Sequence, residues 1–172
     1  DKTKLISCCS AVTGDITIPD DVTTIGTAAF AFSNLTSLII PGSVTTIPMN
    51  MSSFCYNLTN VTIGNGVKEI LIGAFMNCPK LTSVVLPDSV TSIEKVAFKA
   101  CDNLTKFVVS ENNEKYSTSD DGKILYNKDR TTLIVYPGAT GDFVIPNDVT
   151  TIEAVAFYGC LSLTSITIPD SV

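Results

Sequence analysis

Hydrophobic and polar positions recur along this chain at a fixed interval. Leu35, Leu58, Leu81 and Leu104 stand 23 residues apart, and each is followed by Thr. The clearest unit is Leu81 to Asn103, LTSVVLPDSVTSIEKVAFKACDN. Apolar side chains occupy its positions 1, 4 and 6 (Leu81, Val84, Leu86), which predicts a short strand with an inward-facing row. Pro or Gly then turns the chain (Pro41, Gly64, Pro87, Pro169). A second apolar pair, such as Val90 and Ile93, predicts another wall. An Ala-Phe step (Ala74-Phe75, Ala97-Phe98, Ala156-Phe157) is expected to fill the wider end. One such coil cannot bury its interior alone. Stacking on neighbours does so, at about 4.8 Å per coil where strands pair.

Further copies run Leu35 to Asn57, Leu58 to Lys80 and Val149 to Ser162; Leu163 opens another, and a shorter one spans Ile18 to Asn34. A longer period lies above these. Asp1 to Phe30 matches Asp129 to Phe157, and the second copy is preceded by KYSTSDDGKILYN, Lys115 to Asn127, which the first lacks. That block predicts a hairpin of Gly122–Tyr126 and Thr132–Tyr136, turned by Asn127-Lys128-Asp129-Arg130. The expectation is one solenoid of about six coils. Residues 1–15 would be the remnant of an irregular hairpin unit, 16–109 and 143–172 regular repeats, and 110–142 the irregular unit. Both ends read as cuts from a longer array, since solenoids carry terminal caps.

The stretch Val84 to Leu104, with its IPxSV-like strand end, Ile and AFxxCxxL, resembles the BspA-like leucine-rich-repeat family. The block YSTSDDGKILYNKDRTTLIVYP followed by FVIPNDVTTIEAVAF is similar to an irregular unit of that family. The resemblance covers nearly the whole chain. It implies a mainly β leucine-rich-repeat solenoid of 23-residue coils with one irregular β-hairpin insertion. It also implies a surface-exposed or secreted protein of a host-associated microbe, engaged in adhesion, with no catalytic residue to carry over. Ile47 to Cys55, IPMNMSSFC, departs from the pattern, with Met51-Ser52 where Ala-Phe belongs.

Composition narrows the functional classes. Hydrophobic residues make up 45% and charged residues 16%, which excludes a disordered, highly charged chain. A net charge of −6 leaves no electrostatic footprint for nucleic acid. Apolar runs of about five residues fall far short of the roughly 20 needed to span a bilayer, so no membrane insertion is expected within this stretch. No signal peptide or lipid anchor is evident, and any such segment would lie outside this piece.

There is no His, so Ser-His and Cys-His machinery cannot be assembled here. Cys55, Cys78, Cys101 and Cys160 share one repeat position, at spacings unlike those of zinc sites. Stacking would point their side chains in parallel, which favours a ladder of buried thiols over disulfides. Cys8 and Cys9 replace Tyr136 and Pro137 of the matching unit, and nothing in the pattern explains them. Asp120-Asp121-Gly122 with Glu111 and Glu114 lacks a calcium-loop pattern, and nearby Lys115, Lys123, Lys128 and Arg130 predict a solvated mixed-charge loop. Gly64-Asn65-Gly66 is a repeat turn, not a phosphate loop. No cofactor is implied. Asn34, Asn57, Asn60 and Asn103 head sequons, three of which are simply the repeat junction.

Function is therefore sought on a surface. Positions 2, 3 and 5 of each strand are expected to point outward. Position 2 is Thr36, Thr59, Thr82, Thr105 and Thr164; position 3 is Ser37, Asn60, Ser83, Lys106 and Ser165; position 5 is Ile39, Thr62, Val85, Val108 and Thr167. Stacking would align them as stripes of hydroxyls and β-branched methyls bearing one charge. Such a face suits a protein partner, here a host extracellular-matrix, serum or cell-surface protein, although Thr and Val also simply favour pleated strands. Ser110 to Arg130 is a second candidate, as a loop on a rigid scaffold. The expectation is a non-catalytic interaction module acting in adhesion at the cell surface or outside the cell. A passive spacer in a larger surface protein is the alternative.

Overall fold

The computed structural model describes residues 3–7 and 12–172, so Cys8 and Cys9 lie outside the described residues. Every element in it is a strand. The chain begins with β1 (Lys4–Leu5), β2 (Thr13–Thr17), β3 (Thr24–Ile25), β4 (Asn34–Ile40) and β5 (Thr46–Ile47). It continues through β6 (Asn60–Ile63), β7 (Glu69–Ile70), β8 (Ser83–Leu86), β9 (Ser92–Ile93) and β10 (Lys106–Val109). Beyond these come β11 (Tyr116–Thr118), β12 (Leu125–Asn127), β13 (Thr132–Val135), β14 (Thr140–Val144), β15 (Thr151–Ile152) and β16 (Ser162–Thr167).

The 23-residue period becomes a parallel sheet ordered β10-β8-β6-β4-β2, with a second wall of β5-β7-β9. Leu38, Val61, Val84 and Phe107 stand in register across the main sheet, and all are buried. This apolar row holds the coils together; each half-buried strand would expose it without its neighbours. β14 and β16 pair in parallel and give seven strands of this type, against about six coils expected. The two strands not foreseen are β2 and β14. Their signal was present, because DITIP (15–19) and DFVIP (142–146) repeat the strand end SITIP (165–169).

The turn opposite the strands carries the Ala-Phe step, and Ala29, Phe30, Ala74, Phe75, Ala97, Phe98 and Ala156 are buried, with Phe157 partly so. Phe75 stacks on Phe98 at 5.7 Å between centroids. Two residues per turn adopt positive φ, and few are glycine: Ala28 and Phe32, Asn50 and Phe54, Gly73 and Asn77, Val96 and Ala100, Val155 and Gly159. The ladder to a neighbouring coil imposes this shape, at roughly 1 kcal/mol for each non-glycine residue. At the departure, Met51 takes the place of the alanine and Ser52 that of the phenylalanine, and both are fully buried.

The predicted hairpin forms, with different bounds. β12 and β13 are antiparallel, but β12 starts at Leu125 because Gly122 (φ +77°) and Ile124 belong to a preceding loop, where Ile124 N–H donates to Ser119 Oγ. A third strand, β11, pairs antiparallel with β12, so the irregular unit is a three-stranded meander. β13 then pairs in parallel with β15, as β1 does with β3, which accounts for the longer repeat in the sequence.

Candidate functional site

The main sheet sets the outward residues in rows. Asp15, Ser37, Asn60, Ser83 and Lys106 share one register position, and Thr17, Ile39, Thr62, Val85 and Val108 the next outward one. Ile39, Val85 and Val108 are each 42% exposed, a repeated value that shows the coils presenting the same edge of the side chain to solvent. Thr36, Asn60, Thr62, Thr82, Thr105 and Lys106 are exposed as well, whereas Ser37, Thr59 and Ser83 are half-buried. Among the described residues, the side chains of Thr62, Ser83, Thr105 and Lys106 make no hydrogen bond or ion pair.

The threonine row differs from this. Thr59, Thr82 and Thr105 precede their strands, and each donates its N–H to the carbonyl of the equivalent threonine one coil back, at 2.9 to 3.1 Å. The hydroxyls of Thr59 and Thr82 donate to the same carbonyls, at 2.9 and 3.2 Å. Thr36 instead donates its hydroxyl to Asp15 Oδ1 at 2.7 Å. Two of these hydroxyl protons are thus spent on the ladder and that of Thr36 on Asp15, and only acceptor lone pairs remain there for a partner.

Asp15 sits at a β-bulge, where β2 slips against β4 between Gly14 and Asp15. Asp142 occupies the matching bulge of β14 and accepts from Thr164 and Ser165, both at 2.7 Å. Hydrogen bonds from the facing hydroxyls hold both carboxyls below their ordinary range, although both are open to solvent. Asp15 places a negative charge at one end of the position-3 row and Lys106 a positive one at the other. The sequence reading missed Asp15 because it missed β2.

Cys55, Cys78 and Cys101 form a buried row, and Cys160 is half-buried at the same repeat position. Cys55, Cys78, Cys101 and Cys160 are free thiols, each donating at 3.1 Å to a carbonyl of the preceding coil: Phe30, Ser52, Phe75 and Tyr136. Burial pushes the Cys55 thiol up to about 11 and raises that of Cys160. Its hydrogen bond with Cys101, and burial after that, raise Cys78 further. Cys55, Cys78 and Cys160 are thereby held in the protonated, unreactive form at neutral pH.

In the second candidate region much of the charge is spent internally. Arg130 reaches the Thr118 carbonyl at 2.6 Å and Asp120 at 3.0 Å, Lys123 pairs with Asp121 at 3.2 Å, and Lys128 donates to the Asn113 carbonyl at 2.6 Å. The fully buried Asn113 side chain donates to the carbonyls of Pro87 and Val90 and accepts from the N–H groups of Lys115 and Tyr116. Tyr116 OH accepts from Ile93 N–H at 2.8 Å, where the next coil of a regular array would supply a carbonyl. Asn113 and Tyr116 therefore seal the free edge of the first stack. Neither residue stood out in the sequence, which gives Asn and Tyr no distinctive spacing here. No group of three metal-ligating side chains is found among the described residues, and no helix among them is long and apolar enough to cross a membrane.

The sequence pattern of the BspA type Leucine rich repeat region matches residues 6–119 and 139–172, in six copies. This chain belongs to the BspA-type leucine-rich-repeat family. The unmatched stretch between the two blocks holds β12 and β13, the antiparallel part that breaks the solenoid. Among solved structures, a leucine-rich repeat protein from Eubacterium ventriosum is 27% identical with a TM-score of 0.72, over 92% of this chain and 48% of that one. The pneumococcal vaccine antigen PcpA is 22% identical with a TM-score of 0.81, over 99% of this chain and 57% of that one. A leucine rich cell surface protein from Faecalibacterium prausnitzii is 24% identical with a TM-score of 0.64, over 91% of this chain and 55% of that one. The chain thus spans about half the length of the structures it resembles. No curated protein matches it significantly in sequence. The family and fold are those of repeat scaffolds, consistent with a protein-interaction module.

Proposed function

We propose that this BspA-type solenoid is a non-catalytic interaction module of a cell-surface or secreted protein, adhering to host or neighbouring-cell proteins through its strand face. The observation that carries the reading is the register of Ile39, Thr62, Val85 and Val108, which lines up part-exposed β-branched side chains on adjacent parallel strands. A rigid row of methyls with free hydroxyls beside it suits a broad protein surface better than a small substrate. The cell-surface relative from Faecalibacterium prausnitzii supports the location. One observation favours the spacer reading for part of the face: the hydroxyl protons of Thr59 and Thr82 serve the ladder. The binding residues therefore narrow to the outer row and to Lys106.

The test is binding of the chain to immobilised extracellular-matrix, serum and cell-surface proteins, against a Thr62→Glu/Val85→Glu/Val108→Glu variant shown by circular dichroism to be folded. Saturable binding that falls at least tenfold in the variant supports the proposal. Binding that survives it moves the site elsewhere, and no binding across the panel favours a spacer.

A further inference from the structure

On its turn side the solenoid has a gap where the irregular unit interrupts it. In the regular coils each turn donates backbone N–H groups to the turn of the next coil. Ala28 and Asn50 donate to the carbonyls of Met49 and Ile72 at 3.1 and 3.0 Å. Two residues on, Phe30, Ser52 and Phe75 donate to Met51, Ala74 and Ala97 at 2.8 to 2.9 Å. In the third turn the Gly73 N–H makes no such bond, so the first donor pairs in two of three turns and the second in all three. The equivalent donors of the fourth turn are Val96 and Phe98, and neither N–H meets an acceptor among the described residues.

The cause is a shortened coil. A regular coil takes five residues from its wall strand to the laddered donor, Ile93 to Phe98. The irregular unit takes three, Leu133 to Tyr136, whose N–H donates to the Ala156 carbonyl at 2.8 Å. The outward turn with its left-handed residue is skipped. What remains is a cleft of about 640 Å³ between turn 94–99 and turn 153–155, floored by Ile134 and Val135. Lys95 and Val96 stand on one wall, Ala154 and Val155 on the other. The Lys99 ammonium lies 4.1 Å over the Tyr158 ring and ties the two turns together beside the cleft.

We propose that this cleft binds a polypeptide segment of a partner protein, folded as the missing turn, whose carbonyls two residues apart accept from Val96 N–H and Phe98 N–H. A small apolar molecule would cover Ile134 and Val135 but leave the donors of half-buried Val96 and buried Phe98 without an acceptor, which a peptide backbone supplies. The turns that fill the same place elsewhere define the chemistry. In Ile72-Gly73-Ala74-Phe75 the accepting carbonyls belong to Ile72 and Ala74, with a left-handed residue between them. The partner segment is therefore aliphatic, then Gly or Asn, then a small residue, then an aromatic one. This surface is separate from the strand face, and the two are tested independently.

The probe is a fluorescein-labelled peptide carrying the Leu71–Asn77 sequence flanked by serines, titrated with the intact chain by fluorescence anisotropy. Amide hydrogen exchange of Val96 and Phe98 is followed by NMR. The expected result is saturable binding, absent for the scrambled peptide, with exchange at both amides slowed at least tenfold. Val135→Trp, which fills the floor, and Ala154→Trp, on the exposed wall, each weaken binding at least tenfold, while Val85→Glu leaves it unchanged. Absence of binding, binding that leaves both amides unprotected, or equal binding of the scrambled peptide overturns the proposal. Protection of the same amides by self-association without peptide assigns the cleft to a second copy of the chain and overturns the partner assignment.

Discussion

Ser52 shows how one residue carries the cost of an irregular repeat. It stands where neighbouring turns have Phe30 and Phe75, is fully buried, and its hydroxyl has no hydrogen-bond partner. Met51 supplies the lost volume one position earlier, so the core closes, but an unsatisfied buried hydroxyl remains. Such a group costs about 1–3 kcal/mol, and Ser52→Ala removes it for the loss of one atom. The variant is expected to be more stable by about 1 kcal/mol in urea denaturation, with an unchanged m-value. A less stable variant would mean that the hydroxyl is satisfied. The thiols one step along the turn differ in this respect, because each finds a carbonyl.

Among the elements, β2 and β14 begin with the same device, a glycine at positive φ followed by an aspartate at a bulge. The carboxylate binds the hydroxyls of the facing strand, Thr36 in one case and Thr164 with Ser165 in the other. Their folded-state pKa values lie below the ordinary value near 3.8. The ionised form is therefore the one the fold favours. Its contribution is fully present above about pH 4 and is lost as pH falls through the lower folded values. Urea midpoints of the native chain are expected to drop between pH 5 and pH 2. In Asp15→Asn/Asp142→Asn the drop is expected to shrink, with a residual slope from Asp121, which Ser119 and the Lys123 N–H hold low in the same way. An identical pH dependence in the double variant would remove the bulge aspartates from the account.

At the scale of the molecule, the described residues form two cores. One runs from Ile18 to Leu125, and the other gathers Ile124, Tyr126, Leu133, Ile145, Val149 and Ala156. The partition passes through β12, because alternation along the strand sends Leu125 to the first core and Tyr126 to the second, which Ile124 of the preceding loop also joins. Asn113 lies at this junction, and its side chain serves four backbone groups. Asn113→Ala leaves them unpaired and is expected to cost about 3 kcal/mol. Because repeat arrays are stabilised between neighbours, the loss is expected to uncouple the two cores and split a single denaturation transition into two. One transition at a lower midpoint would show that the cores stay coupled through other contacts.

The sequence by itself determined the coil. A fixed interval between Leu35, Leu58, Leu81 and Leu104 leaves one way to bury every interior row, which is to stack each unit on the next. It also determined the outward rows, because alternation along a strand follows from the backbone alone. The tertiary structure decided which outward groups are free. Thr59 and Thr62 look alike in sequence, yet one hydroxyl is spent on a carbonyl of the coil before it and the other is open. It decided the left-handed turns as well, since Val96 and Val155 hold positive φ against their own preference to meet a ladder set by neighbours. The sealed edge at Asn113 and Tyr116 depends on groups 23 to 26 residues apart in the chain, and the cleft beside it on turns further apart still. A local pattern carries no trace of such contacts, because they arise only when one coil is laid against the next.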